Sequence, residues 1–294
     1  REVLPPHGVG GELEAALLEV GRRHGDAQRA AQMEAYMRHN AKFIGVNAAP
    51  RRATAAAVLK SAPFAATYAK PSFDLALDVA LEAWAPTYER ELQLVAIDLI
   101  SAAAARTFKA TWPGKATHGN AAADNDTVTK LRTLITTRSW WDTVDCLASH
   151  AVGAYFSSLS VAQRQRVCEQ WWSADNMWLD RTLIIYQLRY GAVADFDTMK
   201  RHIGMALGWH GCAGGSGGGA AGSSADEAAR VDAKKKQHDE FFIAKAAGWA
   251  LRQHSRVDGA GVRAFVDANG HRLPKLSVRE ATRLLSGGGG GGGA

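Results

Sequence analysis

Apolar residues recur at helical spacing along almost the whole chain, and this pattern restricts the possible folds more than any other feature. A convincing alternation of apolar and polar residues, which would mark a half-buried strand, is not found. We therefore expect an all-α protein. The predicted helices cover residues 10–23, 26–39, 52–62, 72–85, 88–108, 126–135, 140–156, 160–172, 177–190, 195–207, 239–255, 259–270 and 277–285.

The number and length of these helices indicate their arrangement. About a dozen short helices joined by short turns favour stacked helical pairs, an α-solenoid, over a four-helix bundle. We expect a single domain over residues 1–286 with insertions at 112–125 and 212–236, followed by a disordered Gly-rich tail at 287–294. We assign no chemistry to these three segments.

Composition narrows the class of protein. Hydrophobic residues make up 47% and charged residues 22% of the chain, which is ordinary for a soluble globular protein. The net charge of +6 is compatible with a polyanionic partner such as nucleic acid. Cys146, Cys168 and Cys212 form no CxxC pair, so we expect a reducing, intracellular compartment.

Several classes of motif are missing from the sequence. There is no apolar run long enough to span a bilayer, so we expect no membrane association. There is also no charged-then-apolar leader and no initiating Met, as in a processed or excised fragment. The histidines lack ligand spacing such as HExxH, and Walker, GxGxxG and GxSxG motifs are absent, so we expect neither a metal nor a cofactor.

The stretch SWWDTVD (139–145) is the first candidate for chemistry. On a helix that begins near Trp140, Trp141 and Asp145 are four residues apart and share one face. One interpretation places both indoles in the core and lets Asp142 stabilise the helix N-terminus. Asp145 fits that interpretation less well, because it lies a full turn inside the helix and beside an indole.

Basic residues interleaved with aromatic ones form two further clusters. Lys245, Trp249, Arg252 and Arg256 share one helix face, and Arg181 and Arg189 lie about two turns apart on another helix. Each cluster alone fits a solvated basic face. Together, cations beside indoles fit phosphate contacts next to a surface that stacks on bases or sugars.

Ordered segments of the chain resemble the AlkD-like DNA alkylation repair proteins. The resemblance follows family order and covers most of residues 10–285. The segments that carry it are YMRHNAKFIGVNAAPRR (36–52), SWWDTVDCLASHAVG (139–153), NMWLDRTLIIYQLRY (176–190), EFFIAKAAGWALRQHSR (240–256) and RAFVDANGHRLPKLSVREATRLL (263–285).

The resemblance implies HEAT-like helical pairs curved around a concave basic groove that binds duplex DNA. It implies monofunctional glycosylase activity on N3- and N7-alkylated purines in base excision repair. It assigns Asp145 as the catalytic carboxylate, Trp141 and Trp249 as the indoles flanking the lesion, Arg181 as the cation beside the carboxylate, and Tyr36 as a substrate-binding aromatic residue.

The remaining assignments concern the DNA backbone. Two positions depart from the family: Asp180 stands where a basic residue is usual, and Ala244 replaces a frequent basic residue. Both departures lower the expected positive charge. The residues that we assign to DNA binding are Arg189, Lys245, Arg252, Arg51 and Arg52.

The chemistry explains why one carboxylate suffices. A glycosidase with a neutral leaving group needs a second carboxyl group as general acid. An alkylated purine already carries positive charge, so one carboxylate that stabilises the developing sugar cation and anchors a water is enough. We expect a monomer that acts on double-stranded DNA with alkylated bases, in a DNA-containing compartment. The alternative is a non-catalytic HEAT-like repeat protein that binds DNA or serves as a scaffold.

Overall fold

The computed structural model describes residues 17–60, 72–85, 89–115, 119–209 and 241–285, and every regular element in these ranges is a helix. The β pairing within them is one isolated parallel bridge, between Ala121 and Leu159. The prediction of an all-α fold is therefore confirmed. The predicted helix at 10–23 is described from residue 17 onward, and the predicted insertion 212–236 and tail 287–294 lie outside the described residues.

The chain forms two compact units. Unit 1 consists of residues 1–109 and 123–151, and unit 2 of residues 110–122 and 152–294. Helical-repeat domains are also built from successive packed units, so the single domain over 1–286 stays a prediction.

The described helices of unit 1 are α1 (17–24), α2 (Ala27–Tyr36), α3 (Ala48–Lys60), α4 (Phe73–Ala83), α5 (Arg90–Thr107), α6 (Asn125–Thr136) and α7 (Trp141–Cys146). A π-helical turn, Leu147–Val152, follows α7. Unit 2 contains α8 (Gly153–Ser158), α9 (Val161–Trp172), α10 (Met177–Ile185), α11 (Phe196–Ala206), α12 (Phe241–His254), α13 (Gly259–Asn269) and α14 (Lys275–Thr282), with 3-10 turns at Tyr186–Arg189 and Gly191–Val193.

Polar residues before the helices fix where many of them begin. The carboxylate of Asp26 accepts a hydrogen bond of 2.7 Å from the backbone N–H of Arg29, as a natural N-cap does. Each such cap satisfies a backbone donor that the first helical turn leaves without a partner. Further side-chain caps are Ser72, Asp124, Ser160, Asn176, Asp195 and Asp258.

Each unit has its own apolar core. In unit 1, α5 and α6 pack on α4 through fully buried residues such as Leu77, Leu92 and Leu131. In unit 2, α12 packs on α10 and α14. Burial of one such large apolar side chain contributes about 1.5–3 kcal/mol, so these contacts supply most of the stability of the helices.

The segment at 112–125, which the sequence suggests is an insertion, is partly built into unit 2. Trp112 is buried, and its peptide bond with Pro113 is cis. The residues Ala121 and Gly119 pair with the backbone at 158–160. The described residues at both ends of the segment therefore pack on the helices of unit 2.

Some sequence predictions concern thiols, metals and membranes. Cys146 and Cys168 are free thiols, whereas Cys212 lies outside the described residues. In the part of the chain that the structure describes, His, Cys, Asp and Glu do not cluster in threes as in a metal site. Across the same residues, the helices are too short or too polar to traverse a bilayer.

Candidate functional site

A strained turn sets the start of α7, the helix that carries Trp141 and Asp145. Arg138 has a positive φ of 49°, and its guanidinium donates a 2.6 Å hydrogen bond to the carbonyl oxygen of Ala85. The indole of Trp84 donates to the carbonyl oxygens of Leu134 and Thr137, each at 3.1 Å. These bonds hold the turn after α6, so the direction in which α7 leaves it is fixed.

A buried ion pair anchors the first turn of α7. Asp142 Oδ2 lies 3.1 Å from Arg90 Nε, and only 7% and 1% of these side chains are exposed. Arg90 also donates to Gln93 Oε1 at 2.5 Å and to the carbonyl oxygen of Arg138 at 3.0 Å. Burial raises the pKa of the Asp142 carboxyl, and the charge of Arg90 opposes this rise. Asp142 therefore does more than stabilise the helix N-terminus, the role that one interpretation of the sequence gives it.

Asp145 lies one turn further along α7 and is half-buried. Trp141, four residues earlier, is also half-buried. Its ring meets that of Tyr36 edge-on, with centroids 5.7 Å apart and an interplanar angle of 89°. Tyr36 is 71% exposed. Unit 1 thus combines an aromatic pair, Tyr36 and Trp141, with the carboxylate of Asp145 on the same helix as Trp141.

The π-helical turn that follows α7, beginning two residues after Asp145, was not predicted. Ser149 Oγ donates to the carbonyl oxygen of Asp145 at 2.7 Å, and His150 Nδ1 lies 3.1 Å from the carbonyl oxygen of Cys146. Both carbonyl groups precede the change of helical register. Single π-helical turns are rare and occur frequently at functional sites.

The negative charge of Asp145 contributes to a raised pKa of the neighbouring thiol, Cys146. Burial, together with the charges of Asp145 and Asp142, raises the pKa of the Cys146 thiol to about 11. We predict that Asp145→Asn lowers this pKa and speeds the reaction of Cys146 with iodoacetamide at pH 8, because the thiolate is the reacting species. The measurement is the alkylation rate by mass spectrometry in a Cys212→Ser background.

The control for the alkylation experiment is Asp126→Asn, which removes an exposed carboxylate from α6 of the same unit. This variant is expected to leave the rate at Cys146 unchanged. An unchanged rate in Asp145→Asn as well would mean that residue 145 is not an ionised carboxylate close to the thiol.

Arg51 and Arg52 are held by one carboxylate. Arg51 is buried, with Nη2 3.3 Å from Asp98 Oδ2, and Arg52 is exposed, with Nε 3.4 Å from the same oxygen. Burial makes Arg51 a poor candidate for DNA contact, so we interpret it as a structural ion pair. Arg52 remains accessible.

In unit 2, one face of α12 carries Lys245, Trp249 and Arg252, as the spacing predicts, whereas Arg256, the fourth residue of the predicted cluster, lies beyond the end of the helix at His254. Trp249 is half-buried. Both cations bind Glu280 of α14, with Lys245 Nζ 2.6 Å from Oε1 and Arg252 Nη1 bonded to Oε2. Glu280 was not singled out in the sequence, because it lies in a different predicted helix. The face therefore carries less positive charge than the sequence suggests.

Arg181 is buried on α10 and donates a 2.5 Å hydrogen bond to the carbonyl oxygen of Phe242, with its guanidinium 5.9 Å from the centre of that ring. This bond ties α10 to the start of α12. The departures from the family pattern, Asp180 and Ala244, are both buried. They are therefore not positions from which charge would face solvent.

Arg189 lies in the 3-10 turn after α10 and not on the same α-helix as Arg181, which corrects the sequence prediction. It is exposed, and its guanidinium lies 5.0 Å from the ring centre of the buried Trp112. An arginine above an indole is held by a cation–π interaction, which restricts its position without burying the charge. Trp112 thus supports a predicted backbone contact from within the segment to which we assigned no chemistry. Only its aromatic character could have indicated this role in the sequence.

The candidate residues fall into two groups, one in each unit. Unit 1 holds Tyr36, Arg51, Arg52, Trp141 and Asp145, and unit 2 holds Arg181, Arg189, Lys245, Trp249 and Arg252.

Comparison with known proteins agrees with the resemblance seen in the sequence. A family model described as DNA alkylation repair enzyme matches residues 18–285. Among solved structures, a "Predicted DNA alkylation repair enzyme from Enterococcus faecalis" is 24% identical, with a TM-score of 0.59 and coverage of 90% of this chain and 98% of that chain. At this identity the likeness concerns the fold alone. Comparison with curated protein sequences finds no match.

Proposed function

Because the chain belongs to the DNA alkylation repair enzyme family, we propose that it is a monofunctional DNA glycosylase. Its substrates would be positively charged N3- and N7-alkylpurines in duplex DNA, such as 3-methyladenine and 7-methylguanine. The observation that carries the proposal is the half-buried Asp145, one turn after a Trp141 that meets the exposed Tyr36 edge-on.

The leaving group explains how one carboxylate performs the reaction. An alkylated purine departs as a neutral base, because its positive charge is cancelled when the glycosidic electrons move to it. No side chain has to protonate it, unlike the leaving oxygen of an ordinary glycoside. Asp145 would stabilise the developing oxocarbenium ion and accept a proton from the attacking water.

The aromatic residues would supply selectivity. The face of an indole attracts a cation by about 0.5–2 kcal/mol, depending on how far the pair is desolvated. Trp141, and Trp249 in unit 2, would therefore favour a cationic purine over a neutral one. In unit 2, the hydrogen bond from Arg181 to Phe242 supports a positioning role, because it fixes the start of the helix that carries Trp249.

Contacts with the DNA backbone would come from the exposed cations. Arg52 and Arg189 are exposed, and Lys245 and Arg252 keep 38% and 23% of their side-chain surface accessible. Contacts with phosphates add affinity without sequence preference. The repair role implies a DNA-containing compartment, and the monomeric state stays a prediction.

We predict that Lys245→Ala and Arg252→Ala each weaken binding to duplex DNA of any sequence. Each lost phosphate contact should flatten the slope of log K against log salt concentration by about 0.9. Fluorescence anisotropy between 50 and 200 mM salt measures this slope. Lys200→Ala, which removes a cation paired with Asp197 on α11, is the matched control and should keep the wild-type slope.

The proposed activity is tested by incubating the protein with duplex DNA that contains 7-methylguanine and detecting the free base. Release above the spontaneous rate supports the glycosylase. Binding of this DNA without release would favour the alternative, a non-catalytic helical-repeat protein.

A further inference from the structure

Two cations of α12 converge on a single carboxylate. Lys245 and Arg252 lie about two helical turns apart, with Trp249 between them on the same face. Glu280 gives one oxygen to each: Oε1 lies 2.6 Å from Lys245 Nζ, and Oε2 accepts from Arg252 Nη1. Lys245 and Arg252 are therefore positioned to bind an anion that presents two oxygens.

Glu280 is held beneath the cations by close packing of α14 on α12. Ser277 Oγ donates to the carbonyl oxygen of Ala244 at 2.7 Å. A Cβ on Gly248 would lie only 2.6 Å from Glu280 Cβ and 3.0 Å from the backbone of Ser277, so this approach requires a glycine. The carboxylate side chain is 9% exposed, against 38% for Lys245 and 23% for Arg252. Solvent thus reaches the cations more readily than the carboxylate.

The net positive charge of the cluster allows it to bind one more anion. Hydrogen bonding to Lys245 lowers the pKa of Glu280, so the carboxylate is ionised at neutral pH and the three side chains sum to a single positive charge. An ammonium has three donors and a guanidinium five, so both cations keep donors beyond those given to Glu280. A phosphodiester carries one negative charge and two non-bridging oxygens, which matches this cluster.

We propose that Glu280 acts as an internal mimic of a DNA phosphate. It holds Lys245 and Arg252 in position and limits their combined affinity for phosphate to that of one backbone contact. This role rests on the proposed function. A DNA phosphate binds the outer donors of both cations while Glu280 stays in place. Glu280 thereby lowers the affinity for every duplex, damaged or undamaged, because the phosphate interaction is independent of sequence.

The consequence is a DNA affinity that rises when the carboxylate charge is removed. Glu280→Gln keeps the shape of the side chain and raises the cluster from one positive charge to two. One additional neutralised phosphate should steepen the slope of log K against log salt concentration by about 0.9. Between 50 and 200 mM salt, the variant should therefore lose about 3.5-fold more affinity than wild type loses. At 50 mM salt, the variant should bind undamaged duplex more tightly than wild type.

The experiment compares the wild-type chain, Glu280→Gln and Glu169→Gln by fluorescence anisotropy with an undamaged duplex. Glu169 is an exposed residue of α9, so its substitution makes the same change in net charge away from the cluster. Glu169→Gln should keep the wild-type slope. Glu280→Asp, which retains the charge but draws the carboxylate back, should also bind more tightly than wild type. It provides the comparison if circular dichroism shows that Glu280→Gln is unfolded.

The outcomes separate this inference from the proposed function. If wild type binds the duplex and Glu280→Gln has an equal or flatter slope, or either Glu280 variant binds more weakly, Glu280 is a structural partner and the mimic is refuted. A slope steepened equally by Glu169→Gln would make the effect one of net charge and would also refute it. If wild type does not bind duplex DNA, the mimic falls together with the proposed function.

Discussion

Asp145→Asn is expected to abolish most of the release of 7-methylguanine while the protein stays folded. The substitution keeps the size of the side chain but removes the charge that would stabilise the developing sugar cation. Loss of one preorganised electrostatic group typically lowers the rate on the order of 10²- to 10³-fold. Single-turnover base release, with the spontaneous rate subtracted, measures the effect.

DNA affinity is the control for this variant. In the proposed mechanism Asp145 acts at the reacting sugar and does not bind phosphates, so the affinity for undamaged duplex should not fall. Equal rates of base release in wild type and Asp145→Asn would remove this carboxylate from the mechanism.

Asp142→Asn is expected to produce the opposite result, a large loss of stability. Asp142 and Arg90 are both buried, and Arg90 would be left as an uncompensated charge in the interior. Breaking a buried ion pair by neutralising one partner costs about 3–5 kcal/mol, a large part of the stability of a typical domain. Urea denaturation followed by circular dichroism measures the change in the free energy of unfolding.

The two substitutions are matched, because they make the same chemical change one helical turn apart. Asp145 is half-buried, so its replacement should change the free energy of unfolding much less than that of Asp142. If Asp142→Asn unfolds at the same urea concentration as wild type, the ion pair with Arg90 does not anchor α7 as described.

The sequence predicts the helices well, because their starts and apolar faces are local features. Asp26 caps α2 as a short polar residue before an apolar pattern should. The i, i+4 spacing also places Trp141 and Asp145 on one helix face. The family resemblance adds Tyr36, and the structure brings its ring against that of Trp141.

What the sequence does not predict depends on partners that are distant along the chain. The burial of Arg90 becomes intelligible only when Asp142 packs beside it. The sequence predicts that Arg51 binds DNA, yet its side chain is buried against Asp98. A helical pattern fixes which face a charge occupies, but not which helix covers that face.

In unit 2, the partners that the sequence does not predict also come from distant parts of the chain. The spacing of Lys245 and Arg252 predicts their shared face, but Glu280, which partly neutralises them, comes from another helix. Trp112 lies in a stretch that reads as a Pro/Gly break and is nevertheless buried beneath Arg189. Glu280 and Trp112 meet these cations through tertiary packing, which a local sequence pattern does not predict.

The most direct test of the central claim is the identity of the bases that wild type and Asp145→Asn release from one methylated duplex. Chromatography with mass spectrometry would quantify each liberated base. We expect wild type to release the cationic adducts 7-methylguanine and 3-methyladenine and to leave the neutral adduct O6-methylguanine in the DNA. We expect Asp145→Asn to release almost none of them. Release of the neutral adduct at a comparable rate, or the same products in equal amounts from both proteins, would contradict the proposed mechanism.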